Sequence, residues 1–163
     1  MFGYLKLHPK RKLAIDPQHP DIRERWFKKC DWHDSNRDAA EAIPSDMSVP
    51  QGNPMSTHCF VDASHGSDRA TCRSQTGILI FCNKAPALWY SKRQNTVEAS
   101  TFGSEFHQAL KNAIEVIEAL RYKLRMFGVP TDGPTNIFCD NEAVTKNASL
   151  LESTLKKKHC SIA

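Results

Sequence analysis

The chain has 163 residues, of which 40% are hydrophobic and 25% charged, and its formal net charge is +4. This composition is close to that of a soluble globular domain and excludes collagen-like, coiled-coil and wholly disordered chains. No apolar run approaches the roughly 20 residues that a membrane helix needs, so we expect no membrane partner. The apolar stretch at the N-terminus is too short for a secretory signal. The mild basic excess permits a polyanionic partner without requiring one.

The six cysteines predict free thiols. No two of them form a Cys-x-x-Cys pair, so the usual zinc and redox spacings are absent. Such usage is typical of a cytosolic or nuclear protein. Cys30 and His33 stand close in sequence, but one pair is a weak metal signal.

Residues 1–56 differ in composition from residues 57–163. They contain six of the nine prolines. One helix-like stretch runs from about Asp21 to Ala42, with Trp26, Phe27 and Trp32 as apolar anchors. The turn-rich residues 43–53 that follow predict a linker.

Three β-prone runs open the second part. They lie at residues 58–61, 76–82 and 87–91, and turn-forming residues separate them. Short continuous apolar runs are typical of strands that are buried on both faces, so we expect Trp89 in the core. The short connections predict an antiparallel three-strand meander.

The clearest helix in the sequence follows the meander. Apolar residues recur at three- and four-residue steps from Phe106 to Phe127. Ser100 or Thr101 can cap its start, and Gly128-Val129-Pro130 should end it. A fourth strand is predicted at residues 136–139, and a short helix at residues 142–148 after a cap at Asp140-Asn141. The predicted order is therefore β-β-β-α-β-α.

Three acidic residues stand where this order can bring them together. Asp62 ends the first strand, Glu105 lies in the first turns of the long helix, and Asp140 ends the fourth strand. Converging carboxylates are electrostatically costly unless divalent cations neutralise them. Two such cations could hold a phosphodiester and activate water for in-line attack.

Each acid also has an ordinary explanation. An aspartate at a strand end is commonly a turn or cap residue, which suits Asp140 in particular. Glu105 could simply favour the positive end of a helix. The pattern alone therefore leaves open whether the acids bind metal.

Five motifs occur in one order along residues 57–163: Phe60-Val61-Asp62-Ala63, Arg73-Ser74-x-Thr76-Gly77, Trp89-Tyr90-Ser91-Lys92-Arg93-Gln94, Ser100-x4-Glu105-Phe106 and Phe138-Cys139-Asp140-Asn141. Together they resemble the ribonuclease H domain of copia-type retrotransposon polyproteins. Gly3-Tyr4-Leu5-Lys6 is similar to the last helix of the preceding reverse transcriptase. The resemblance implies that residues 1–56 are a connection segment after that polymerase.

The resemblance implies a ribonuclease H-like α/β fold, with the fourth strand parallel to the first. It implies endonucleolytic cleavage of RNA in RNA–DNA hybrids by two-metal hydrolysis, which leaves a 3′-hydroxyl and a 5′-phosphate. Asp62, Glu105 and Asp140 match the catalytic, metal-binding acids, with Mg²⁺ as the cofactor and Mn²⁺ as a substitute. The expected partners are the hybrid and the reverse transcriptase of the same polyprotein, in a cytoplasmic virus-like particle or in the nucleus.

Seven further residues of these motifs are candidates for substrate contact. Arg73, Lys92 and Arg93 could contact phosphates, although as surface charges they need no such role. His159 belongs to a Lys-His step of the family. The complete candidate set is Arg73, Ser74, Lys92, Arg93, Gln94, Asn141 and His159.

The sequence departs from the family near its C-terminus. Ser161 stands where the family has a fourth acid, and the chain ends at Ala163, so the expected domain is C-terminally truncated. We therefore expect little or no nuclease activity, with at most weak turnover in Mn²⁺. Two alternatives follow: an inactive retroelement remnant or a nucleic-acid-binding fragment. Integrases share the fold, but their acids run Asp, Asp, Glu, and this order disfavours them.

Overall fold

The computed structural model describes residues 6–10, 12–22, 43–98 and 100–149. Its centre is a four-stranded mixed sheet with the strand order β3-β2-β1-β4. The strands are β1 (Met55–Ser64), β2 (Gln75–Cys82), β3 (Ala85–Arg93) and β4 (Thr131–Cys139).

The pairing confirms the predicted meander and the parallel fourth strand. β1 pairs antiparallel with β2, and β2 with β3, while β4 lies parallel to β1. Asn83 has a positive φ of 53° in the short β2–β3 connection, a conformation that asparagine tolerates. The arrangement is a mixed α/β fold compatible with the expected ribonuclease H-like architecture.

A long helix connects β3 to β4 and has three parts. It begins as α1 (Thr101–Gly103), widens into the π-helical segment π1 (Ser104–Leu110) and continues as α2 (Lys111–Met126). The Ser100 side chain accepts a hydrogen bond from the Gly103 amide, which confirms the predicted cap. The helix ends before Gly128, whose φ of 70° is the left-handed conformation common after helix ends.

The core lies between the long helix and one face of the sheet. Alternate residues of β1 and β2 contribute to it, and the helix adds small and branched side chains from π1 and α2. The buried members are Cys59, Val61, Ala63, Ile78, Ile80, Ala109, Ala113 and Ile117. Burial of this stripe follows from its helical spacing.

A short helix, α3 (Glu142–Ser149), follows β4 directly. Asn141 Oδ1 accepts hydrogen bonds from the Ala143 and Val144 amides, at 3.0 and 3.4 Å, and so caps α3. Val144 packs with Phe102 in a second small core. α3 is therefore held against the start of the long helix.

One expectation about burial is wrong. The strands are not buried on both faces, because in β1 and β2 exposed or half-buried residues alternate with buried ones. Trp89, expected in the core, is 67% exposed, because it lies on the sheet face that the long helix does not cover. No helix within the described ranges is long and apolar enough to cross a membrane.

Part of the predicted connection segment is visible beside the domain. The Gln51 amide donates to the Gly128 carbonyl at 2.8 Å, and Ser48 Oγ donates to the Met126 carbonyl at 2.9 Å. The Asn83 side-chain amide donates to the Pro17 carbonyl at 2.8 Å. The helix-like stretch predicted at residues 21–42 lies almost wholly outside the described residues.

Candidate metal centre

Asp62 and Asp140 lie at the same end of two neighbouring strands. Val61 of β1 is in register with Cys139, the last residue of β4, so the next residue along each chain is an aspartate. Both aspartates are exposed. In β1 the neighbours Val61 and Ala63 are buried, so the pleat directs Asp62 to the sheet face opposite the long helix.

Glu105 approaches the ends of β1 and β4 from the helix layer. It is the second residue of π1 and is only 5% exposed. π-Helical segments are rare and frequently occur at functional sites, because the wider turn redirects a side chain. Ala109, another residue of π1, belongs to the same core cluster as Val61 and Ala63 of β1. This packing holds π1 against β1.

The structure brings Glu105, Cys139 and Asp140 together. One potential ligand atom of each lies within 4.8 Å of the others. The Cys139 thiol donates to Glu105 Oε2 at 3.6 Å. Asp62 is not a member of this group, although its charge is near enough to act on Glu105.

The electrostatics of the group resist the charged form of Glu105. Burial raises the pKa of the Glu105 carboxyl, and the negative charges of Asp140 and Asp62 raise that pKa further. Hydrogen bonds from the side chains of Asn141 and Cys139 oppose this shift in part. None of the ion pairs within the described part of the chain involves these acids. A bound cation would relieve the repulsion.

The donor set suits a hard divalent cation. Mg²⁺ and Mn²⁺ prefer carboxylate oxygens, which Glu105 and Asp140 offer side by side. The Cys139 sulfur is a softer donor than these ions prefer. Burial raises the pKa of the Cys139 thiol and the nearby Glu105 charge raises it further, so the thiol keeps its proton and acts as a hydrogen-bond donor.

A cavity of about 570 Å³ opens beside the two aspartates. Its lining includes Gly77, which pairs with Asp62, and the aromatic side chains of Phe60 and Phe138. Their rings stack with centroids 5.0 Å apart. A ligand that entered this cavity would meet the exposed carboxylates and an aromatic surface together.

The basic candidates for substrate contact occupy different surroundings. Lys92 is exposed near the end of β3, and Arg73 is half-buried before β2. Arg93 pairs with Asp68 at 2.9 Å. Hydrogen bonds from Thr71 and Arg93 lower the pKa of Asp68 to about 2, so this pair stays charged.

The polar candidates lie further inside. Ser74 and Gln94 are 1% and 4% exposed, and both bond to other buried groups. Asn141 caps α3 and bonds to the Glu105 side chain. His159 and Ser161 lie outside the described residues. The roles predicted for all these side chains remain predictions.

Sequence reasoning missed two residues of the site. Cys139, the last residue of β4, belongs to the ligand group, and its place directly before Asp140 does not by itself indicate contact with Glu105. Ser104 precedes Glu105 and bonds to Ser74, which is 30 residues away in sequence. No local sequence pattern predicts the contact between Ser74 and Ser104.

The fold and the acidic group define an α/β protein with a candidate divalent-cation site at one edge of a mixed sheet. The chain is similar to two retrovirus-related Pol polyproteins of Arabidopsis thaliana, from transposons RE2 and RE1. Each is 27% identical over 97 residues, which is 60% of this chain and 7% or 6% of the relative. No family model and no solved structure matches. The similarity supports a relationship to retrotransposon polyproteins.

Proposed function

We propose that residues 57–163 are a ribonuclease H domain of a copia-type retrotransposon polyprotein and that residues 1–56 connect it to the reverse transcriptase. The domain would cut the RNA strand of RNA–DNA hybrids in the cytoplasm or nucleus. The observation that carries this proposal is the meeting of Glu105 and Asp140 at a sheet edge that also bears Asp62. The collinear motifs and the polyprotein relatives support it.

In the proposed reaction, water adds to a phosphorus atom of the RNA strand as the bond from phosphorus to the 3′-oxygen breaks. The leaving oxygen takes up a proton, and the products are a 3′-hydroxyl and a 5′-phosphate. Asp62, Glu105 and Asp140 would hold Mg²⁺, which supplies charge neutralisation at the phosphate and activation of the water. Buried Glu105 can hold its oxygens in one orientation, whereas the exposed aspartates can adjust to the substrate.

The basic residues would serve the nucleic-acid backbone. Lys92 is exposed near the end of β3, two residues beyond Tyr90 at the cavity. Contacts to phosphates and 2′-hydroxyls carry little sequence information, so cleavage should depend on hybrid shape. We therefore expect weak sequence preference.

The test is cleavage of labelled nucleic acids by the full chain in Mg²⁺ and in Mn²⁺. We expect the wild type to cut RNA in a hybrid only weakly and better in Mn²⁺ than in Mg²⁺, and to spare single-stranded RNA and double-stranded DNA. Asp140→Asn should abolish cutting, whereas the control Asp132→Asn, an exposed acid at the far end of β4, should not.

Three outcomes would contradict the proposal. Joining of DNA ends would indicate an integrase. Hybrid binding without cleavage in either metal would indicate a nucleic-acid-binding fragment, and neither binding nor cleavage would indicate an inactive remnant.

A further inference from the structure

A buried hydrogen-bond network surrounds Ser104, the residue that precedes Glu105. Ser74 Oγ and Ser104 Oγ are 2.9 Å apart, and Gln94 Nε2 donates to the Ser104 carbonyl at 2.9 Å. The same Gln94 nitrogen donates to Thr76 Oγ1 at 3.0 Å. We call these four residues, Ser74, Thr76, Gln94 and Ser104, the Ser104 brace.

The brace joins three separate parts of the fold. Ser74 directly precedes β2, Thr76 is the second residue of β2, Gln94 follows β3, and Ser104 opens π1. All four residues are at most 4% exposed. A buried polar group costs free energy unless it is hydrogen-bonded, so such a network fixes its members in one arrangement.

Ser104 is held from both its side chain and its backbone. Its hydroxyl contacts Ser74 Oγ, and His65 Nδ1 lies 3.4 Å away on the solvent side. Its carbonyl accepts from Gln94, and its amide donates to the Ser100 carbonyl at 3.1 Å. Because Glu105 is the next residue, these bonds fix the backbone from which its carboxylate projects.

The brace also explains why π1 can persist. A π-helical turn is less favourable than an α-helical one and usually appears as a single widened turn. The Gln94 amide supplies a donor to π1 from outside the helix. The widened turn is thus held at Ser104, the residue before Glu105, by a side chain from the segment that follows β3.

We propose that Ser74 and Gln94 are positioning residues that act through Ser104 to hold Glu105 for cation binding, instead of contacting substrate. This inference rests on the proposed function, since it concerns the same acids. Groups that orient a metal ligand typically contribute 10–100-fold to metal affinity. The brace should therefore matter to the cation even though none of its members is a ligand.

The test measures Mn²⁺ affinity of the full chain by titration calorimetry. Gln94→Met keeps the side-chain length but removes both amide donors, and we expect it to weaken Mn²⁺ binding at least about tenfold. Gln75→Met is the matched control: Gln75 is the exposed residue between Ser74 and Thr76, and its change should leave affinity within about twofold. Ser74→Ala is a second, smaller change that should act in the same direction.

A double-variant cycle separates positioning from general damage. In a Glu105→Gln background, Gln94→Met should have no further effect on Mn²⁺ affinity, because its effect passes through Glu105. An equal loss in both backgrounds, or wild-type affinity in Gln94→Met and Ser74→Ala, would overturn the inference.

The inference can also be judged if the wild type binds no Mn²⁺, a result that would refute the proposed cation site. Amide hydrogen exchange at Glu105 in the metal-free chain then tests whether the brace holds this residue. We expect exchange about tenfold faster in Gln94→Met than in Gln75→Met, since the brace holds this turn closed. Equal exchange in the two variants would overturn the brace without reference to metal or nucleic acid.

Discussion

Glu105 differs from the two aspartates in its surroundings. It lies on the long helix and is buried, whereas Asp62 and Asp140 are exposed. A buried carboxylate loses hydration, and the neighbouring negative charges add repulsion. The metal-free site therefore destabilises the fold in its charged state.

The first prediction concerns the pH dependence that this burial causes. The folded-state pKa of Glu105 lies above its ordinary value of 4.5. Between these two values the folded chain holds more protons than the unfolded chain, so stability falls as pH rises through this window and stays lower above it. Glu105→Gln cannot titrate, so at pH 7 without metal it should be at least as stable as the wild type.

Urea unfolding in the presence of a chelator, from pH 4 to pH 8, measures this difference. The exposed residue Glu115 on α2 offers a control, since Glu115→Gln should follow the wild-type profile. A Glu105→Gln variant that is less stable than the wild type at pH 7, with an unchanged pH profile, would show that burial does not penalise this carboxylate.

At the scale of elements, sequence periodicity predicted most of the fold. The apolar runs predicted the meander, and the three- and four-residue steps predicted the long helix. Of the two predicted cap residues, Ser100 and Thr101, the structure has Ser100 as the cap. β4 is longer than predicted, because Thr131–Thr135 lack the apolar character that marked residues 136–139. The π-helical turn could not be predicted, since Gln94 and Ser74 support it from other elements.

The second prediction tests the buried stripe of the long helix. Ile117 is 7% exposed and packs in the main core, so Ile117→Ala should reduce the free energy of unfolding by about 2–5 kcal/mol. Phe127 ends the same apolar pattern in sequence but is 83% exposed. Phe127→Ala should therefore change stability by less than about 0.5 kcal/mol.

Denaturant unfolding of both variants checks this assignment. A loss below about 0.5 kcal/mol for Ile117→Ala would mean that the helix presents another face to the sheet. A large loss for Phe127→Ala would instead show that its ring is covered in solution.

At the scale of the whole molecule, the two sheet faces have different chemistry. The face under the long helix is aliphatic, and the opposite face carries an aromatic cluster in which His58 stacks on Phe81 with centroids 4.9 Å apart. The acidic group lies between the helix layer and the ends of β1 and β4. The placement of Asp62 and Asp140 could be predicted from strand order, because adjacent parallel strands end together. The presence of Cys139 in the ligand group could not be predicted, because it depends on how far the Glu105 side chain extends from the helix toward the sheet.

The last prediction concerns a fourth acid. The resemblance to the family predicts an acid at position 161, where this chain has serine. A carboxylate offers Mg²⁺ the charged oxygen that a hydroxyl lacks, and affinity rises with the number of charged ligands. Ser161→Asp should lower the Mg²⁺ concentration for half-maximal hybrid cleavage by about tenfold. Without metal, the added repulsion should lower the melting temperature, and Mg²⁺ should restore it.

Thermal unfolding with a chelator and with Mg²⁺ gives a readout that does not depend on cleavage. Ser153→Asp adds the same charge eight residues earlier and serves as the control. If position 161 joins the site, only Ser161→Asp gains a larger Mg²⁺ stabilisation than the wild type. Equal responses of the two variants would show that the added charge acts at long range and that position 161 is not part of the metal centre.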